Sequence, residues 1–215
     1  MFPALYSILD AGPNLTTESV MSLAERLSET GVQLIQYRDK RGTARKVFEV
    51  SASLVARLGP RGVRVIVNDR ADIAAMVGAG GVHVGQEDLP VEDARRVCGK
   101  SLWVGVSTHN LEQLRAAGRT SADYIAVGPI FPTSTKENPD PVVGIEFLRA
   151  ARKITGKPLV AIGGITVESA GEVYAAGADS VAVIGDLMLA RDPAARAREY
   201  LAIAERVRNA QRGGS

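Results

Sequence analysis

Cysteine is almost missing from this 215-residue chain: Cys98 is the only one, so no disulfide framework can brace the fold. That suits a reducing compartment, and the cytoplasm is the expected location. Charge of one sign is also scarce. Lys and Arg number 26 against 24 Asp and Glu, and the basic residues are scattered, so nucleic acid is not an expected partner. No apolar run approaches the ~20 residues that span a bilayer, so no membrane is expected either. The opening Met1-Phe2-Pro3-Ala4-Leu5-Tyr6 lacks the basic start and long apolar core of a signal peptide, and reads as a first strand. With two histidines and one cysteine there is no Cys/His metal cluster, and no Ser-His-Asp order supports hydrolysis.

What the chain has in quantity is alternation. Strand-like runs fall near Ala4–Leu9, Gln33–Tyr37, Arg64–Val67, Val82–Val84, Trp103–Val106, Tyr124–Val127, Leu159–Ile162 and Ser180–Ile184. Helix-period segments separate and follow them: Thr17–Thr30, Thr43–Leu58, Arg70–Val77, Val91–Val97, Asn110–Ala117, Ile145–Thr155, Val167–Ala176 and Pro193–Asn209. Thr16 or Thr17 and Asn110 supply cap chemistry, and Gly31, Gly118 and Gly177 mark stops. Eight strands alternating with eight helices predict a single α/β domain, a (β/α)₈ TIM barrel over residues 1–210, with 211–215 as a disordered tail. A doubly wound open sheet would need a phosphate fingerprint after the first strand, and Asp10-Ala11-Gly12-Pro13-Asn14 is not one.

Polar motifs stand just past nearly every apolar run, which describes one mouth of a barrel. Asn68-Asp69 and Asp88 follow strands three and four. Two hard oxygen ligands with open positions suit Mg²⁺, although each acid also fits a cap or turn before its helix. Arg38, Lys40 and Lys136 follow strands two and six and would compensate a polyanion. Loop lysines are usually just solvated, but Arg38 continues an apolar strand at a position expected to face inward. Thr133-Ser134-Thr135, Gly163-Gly164 and Ile184-Gly185 follow strands six, seven and eight, where barrels commonly grip phosphate. Ser107 ends strand five and could bond a substrate group or simply end a strand. His109 could be a general acid–base but reads rather as a helix-start residue beside Asn110, and His83 reads as a packed histidine inside a strand. Trp103 and Tyr37 read as core or pocket wall, and Cys98 as inert. Two acids, three cations and several hydroxyls together suit a magnesium-bound pyrophosphate.

Gln36-Tyr37-Arg38-Asp39-Lys40, Val67-Asn68-Asp69-Arg70, His83-Val84-Gly85-Gln86-Glu87-Asp88, Gly105-Val106-Ser107-Thr108-His109, Gly128 through Lys136 and Ala161-Ile162-Gly163-Gly164-Ile165 form an ordered set. With that set the chain resembles the thiamine-phosphate synthases over essentially its whole length. The resemblance implies an enzyme joining a hydroxymethylpyrimidine diphosphate to a thiazole phosphate, with thiamine phosphate and pyrophosphate as products. It implies one Mg²⁺ per subunit, held by Asp69 and Asp88. It places Gln36, Tyr37, Arg38, Asp39, Lys40, Asn68, Ser107 and Lys136 at the pyrimidine diphosphate, with Arg38, Lys40, Ser107 and Lys136 serving catalysis. It places Thr133, Ser134, Thr135, Gly164, Ile184 and Gly185 at the thiazole phosphate. Partners are then the two small-molecule substrates, and a homo-oligomer is compatible with this. Many members of the family carry serine where this chain has Gly185, which removes one hydroxyl donor, and the adjacent Asp186 adds a negative charge there. A thiazole tautomerase or a non-catalytic thiazole-phosphate-binding regulator could share the barrel. Neither needs the acids and cations kept here, and only His109 favours the tautomerase. A sugar-phosphate isomerase would want a base where Gly128-Pro129 stands.

Overall fold

The computed structural model describes residues 1–12, 16–133 and 140–213. Its strands are β1 (Leu5–Asp10), β2 (Leu34–Arg38), β3 (Arg64–Asn68), β4 (Gly81–Val84), β5 (Trp103–Thr108), β6 (Tyr124–Val127), β7 (Leu159–Ile162) and β8 (Ser180–Val183). The helices are α1 (Thr17–Ser28), α2 (Ala44–Leu58), α3 (Ala71–Met76), α4 (Val91–Cys98), α5 (Leu111–Gly118), α6 (Gly144–Ile154), α7 (Val167–Ala175), α8 (Gly185–Met188) and α9 (Pro193–Gly213). All strand pairs are parallel, in sequence order, and β1 pairs with β8 to close the barrel. The predicted TIM barrel is therefore the fold, with the short α8 as an addition the periodicity did not predict. The last helix runs to Gly213, past the predicted tail boundary at 211. No helix among the described residues is long and apolar enough to cross a membrane.

Period-two alternation divides the strands into two apolar layers. Leu5, Leu9, Ile35, Tyr37, Val65 and Val67 lie in the layer shared with the surrounding helices. Tyr6, Ile8, Leu34, Ile66, Tyr124, Val160 and Ala182 fill the barrel. At its N-terminal end Phe2 stacks on Trp103 at 5.2 Å between ring centroids, and the Arg64 guanidinium lies 3.8 Å from the Trp103 ring centroid on another side. That end is stoppered by aromatic packing, which leaves the C-terminal ends of the strands to carry the polar residues.

Several helix starts follow their sequence signals. Thr16, not Thr17, caps α1 by accepting from the Ser19 amide. Asn110 does the same for α5 from Gln113, whose own side chain accepts from the His109 amide at 2.7 Å.

Candidate active site

Arg38 ends β2 on the inward parity shared with Leu34 and Gln36, and reaches into the mouth. Its Nη1 donates to both carboxylate oxygens of Asp10, each at 2.7 Å. Asp10 is a site residue the motif reading missed. The signal was present, since Asp10 ends β1 on the same parity as Tyr6 and Ile8. Lys40 extends from the loop after β2 and forms an ion pair with Asp69.

Asp69 sits one residue past β3 with φ of 62°, the only non-glycine at positive φ among the described residues. Aspartate is one of the few residues to tolerate this region, and such strain tends to persist where function needs it. The backbone fold turns its carboxylate toward Asp88. Burial pushes the Asp69 carboxyl above its ordinary value; Lys40 opposes this and the Asp88 carboxylate adds to it. Asp88 itself accepts from the Gly85 amide at 2.8 Å, so the turn after β4 holds it in place. The two acids are thus neighbours, as the sequence predicts. No cluster of three or more His, Cys, Asp or Glu suited to a metal exists among the described residues. Two repelling carboxylates still fit Mg²⁺, which takes its remaining oxygens from water and phosphate.

Not every residue of the Gln36–Lys40 segment reaches the mouth. Tyr37 has the opposite parity and is 1% exposed in the layer beneath the helices, where its hydroxyl donates to Asp39 at 3.2 Å. Asp39 is spent on its own loop. Its side chain is 2% exposed, 3.2 Å from the Lys46 Nζ of α2, and accepts from the Arg41 amide. Burial raises its carboxyl, but Lys46 and the loop amides outweigh this and hold it below the usual value. Neither Tyr37 nor Asp39 is therefore brought to the substrate side: the pleat turns one away, and the loop and α2 consume the other. Asp39 also excludes a side chain at Gly42, where a Cβ would fall 2.4 Å from its carboxylate.

Gln36 lies deeper in the barrel, 2% exposed, and its Nε2 donates to the Tyr6 hydroxyl at 2.6 Å. Asn68 ends β3 half-buried, in register with His83. Ser107, near the end of β5, meets His83 Nε2 at 2.9 Å, and its carbonyl accepts from the Gln86 side chain at 2.6 Å. Burial lowers the His83 pKa to about 4 despite the Asp88 charge, so this imidazole is neutral at ordinary pH. The reading of His83 as a packed histidine holds, but its two ring bonds tie it to the mouth. His109 Nδ1 contacts the Gly128 carbonyl at 2.7 Å, and Nε2 faces Asp140 at 3.5 Å.

Across the mouth, the loops after β6 and β7 are locked together. Ile130 and Phe131 amides donate to the carbonyls of Ile162 and Gly163, at 2.9 and 3.0 Å. Gly164 has φ of +63°, and a Cβ there would fall 2.3 Å from the Pro132 carbonyl oxygen. Thr133 is half-buried next to this contact; Ser134, Thr135 and Lys136 lie outside the described residues. Ile184 and Gly185 open α8. Asp186, next to Gly185, accepts from the buried Tyr200 hydroxyl at 2.7 Å, with Arg196 at 3.8 Å.

Known proteins match most of this chain. The family model described as thiamine monophosphate synthase matches residues 5–187. The thiamine-phosphate synthase of Koribacter versatilis is 52% identical over 204 residues, covering 94% of this chain and 95% of that one. That of Chloroflexus aurantiacus is 43% identical over 199 residues, covering 93% and 91%. Among solved structures, thiamine phosphate pyrophosphorylase from Pyrococcus furiosus superposes with a TM-score of 0.83 at 34% identity, covering 95% of this chain and 96% of that one. A closed parallel barrel, paired acids in contact with Lys40, and relatives alike over more than nine-tenths of the chain lead to one conclusion: this chain belongs to the thiamine monophosphate synthase family.

Proposed function

We propose that the mouth joins a hydroxymethylpyrimidine diphosphate to a thiazole phosphate, releasing thiamine phosphate and pyrophosphate. The observation that carries this reading is the Asp69–Asp88 pair in contact with Lys40, with Arg38 at the end of the neighbouring strand β2. Asp69 and Asp88 would hold a Mg²⁺ ion, which when bound supplies positive charge to the diphosphate. Arg38 and Lys40, with Lys136 from the sequence pattern, would bind the diphosphate oxygens and stabilise the charge that grows as the group leaves. The bond from the methylene carbon to the diphosphate oxygen breaks, with its electron pair going to the leaving group. The aminopyrimidine delocalises the cation left behind. The thiazole nitrogen then donates its lone pair to form the new carbon–nitrogen bond. No protein nucleophile is needed. The chain's work is to neutralise charge, align the rings and exclude water.

Asp10 holds Arg38 extended before substrate arrives, and Lys40 rests against Asp69. Both cations are thus preorganised by acids. Gln36, Asn68 and Ser107 would contact the pyrimidine half. Thr133 with Ser134 and Thr135, Gly164, Ile184 and Gly185 would hold the thiazole phosphate, with glycine amides approaching it closely. The purified protein with both substrates should release pyrophosphate in a Mg²⁺-dependent way. Absence of release at saturating substrates would overturn the reading.

Gly185 offers a sharper test of the phosphate end. It is not at positive φ, and a Cβ there would meet nothing nearer than Leu189 Cδ1 at 4.0 Å. Nothing steric demands glycine. Gly185→Ser should therefore fold normally and lower the KM for the thiazole phosphate, by roughly fivefold for one added hydrogen bond. An unchanged KM would move the phosphate away from α8.

A further inference from the structure

Helix α8 has four residues, too few to hold its own shape in water, so its place must be set from outside. The Leu187 side chain is buried, the Asp10 amide donates to Met188 Sδ at 3.4 Å, and Asp186 faces α9. The contact with α9 also reaches a second loop. Tyr200 of α9 is fully buried, and its hydroxyl is 2.7 Å from Asp186 Oδ2 and 3.2 Å from the Ile165 carbonyl oxygen. Ile165 directly follows Gly164, and Asp186 directly follows Gly185. A single hydroxyl outside the barrel thus touches both glycine segments assigned to the thiazole phosphate.

The hydroxyl has one proton for two acceptors. The carboxylate is nearer and charged, so it takes the stronger arm, and the Ile165 carbonyl takes the longer arm of a shared bond. Arg196, one turn earlier on α9, stands 3.8 Å from the same Asp186 oxygen. α9 is 21 residues long, so both groups are carried by a rigid element. The Gly163-Gly164 backbone, at φ of +99° and +63°, gains much from an outside tie, because glycine loses more freedom than other residues when it is ordered. On one side that tie is made by the Ile130 and Phe131 amides, and on the other by Tyr200.

We propose that Tyr200 is a positioning residue for the thiazole phosphate. Its hydroxyl sets the spacing between the Gly164 loop and the Gly185 turn, so that the two segments close on one phosphate group. The proposal rests on the reading of Gly164 and Gly185 as the grip of that phosphate. The same tie keeps the Asp186 carboxylate turned toward α9. Released, that charge would be free to swing toward the dianion and repel it. Both effects of the hydroxyl favour one substrate and leave the diphosphate end, on β2, untouched.

The test is calorimetric binding of the thiazole phosphate and, separately, of the pyrimidine diphosphate with Mg²⁺ to the full-length protein. Tyr200→Phe keeps the ring and removes the hydroxyl. Affinity for the thiazole phosphate should fall roughly tenfold, as for one hydrogen bond lost, with affinity for the pyrimidine diphosphate little changed. In turnover the KM for the thiazole phosphate should rise by the same factor while kcat holds. Tyr174→Phe controls for general loosening. Tyr174 is 3% exposed in α7, and its hydroxyl donates to the Ala4 carbonyl at 2.9 Å, just before β1. This variant should lose a similar amount of Tm and keep both affinities. An equal loss of thiazole-phosphate affinity in Tyr174→Phe, or a loss in Tyr200→Phe shared by both substrates, would overturn the proposal. Asp186 is half-buried, so its variants should fold even if Tyr200→Phe does not. Asp186→Asn still accepts from the hydroxyl and should bind thiazole phosphate at least as well as the parent. Asp186→Ala breaks the tie and should bind it several-fold more weakly, although a negative charge beside a dianion is gone. Tighter binding by Asp186→Ala would overturn the tie. Binding is read without turnover. A protein that shows these binding losses but releases no pyrophosphate would fault the proposed function, and an active synthase whose thiazole-phosphate affinity is unmoved by Tyr200→Phe would fault the tie alone.

Discussion

Asp69→Asn is expected to make the metal-free protein more stable at neutral pH and to remove most of its synthase activity. Asparagine tolerates the left-handed backbone at least as well as aspartate, so φ of 62° is not a reason for the variant to misfold. What changes is charge. Burial, with the Asp88 carboxylate adding to it, raises the Asp69 carboxyl above the ordinary aspartate value. A raised acid favours the protonated form in the folded state. Its stability contribution is therefore present below about 3.8 and lost as pH climbs through the raised value. At neutral pH the ionised group is a net cost that asparagine relieves, even though the Lys40 ion pair goes with it. A rise in Tm at neutral pH is the expected result, with the parent and variant converging at acid pH. Turnover should fall roughly 100- to 1,000-fold in kcat, as when a preorganised charge-stabilising group is removed. Thermal melts in chelator across pH and pyrophosphate release at saturating Mg²⁺ measure the two halves separately. Near-parental kcat would take Asp69 out of the metal site; a lower Tm at neutral pH would show that its charge is stabilising.

Gly164→Ala should weaken the thiazole-phosphate end and destabilise the fold together. The added Cβ would fall 2.3 Å from the Pro132 carbonyl oxygen and 2.9 Å from Phe131 Cβ, with φ already at +63°. Backbone oxygen cannot swing aside as a long side chain can, so the segment leading into Thr133 must shift. Left-handed alanine costs about 1–2 kcal/mol and overpacking about 1–3 kcal/mol more, for a drop in Tm on the order of 10 °C. The KM for thiazole phosphate should rise about tenfold or more, while the KM for the pyrimidine diphosphate moves less, because Arg38 ends β2 and Lys40 stands in the loop after it, away from β7. Equal rises in both constants would mean that Gly164 supports the whole mouth and not one phosphate.

The barrel was legible in the residues alone. Eight apolar runs alternating with helix-period segments leave few other ways to bury both, and inward parity on β2 was enough to aim Arg38 at the mouth. The same parity points Tyr37 away from the mouth, into the layer beneath the helices. The nearness of Asp69 and Asp88 was legible because neighbouring parallel strands end side by side. The four-residue α8 was not, since it is too short to show a period. Nor was the use of Asp39, which depends on Lys46 reaching back from α2, or of Asp186, which depends on Tyr200 from α9. The contact between Tyr6 and Tyr124 lay furthest from view. Tyr6 and Tyr124 are 118 residues apart, and their hydroxyls meet only because the sheet closes with a definite stagger. Alternation is a local property that each segment carries in its own residues. Which polar tips meet inside a closed sheet depends on the register of all eight strands at once, and that exists only in the folded barrel.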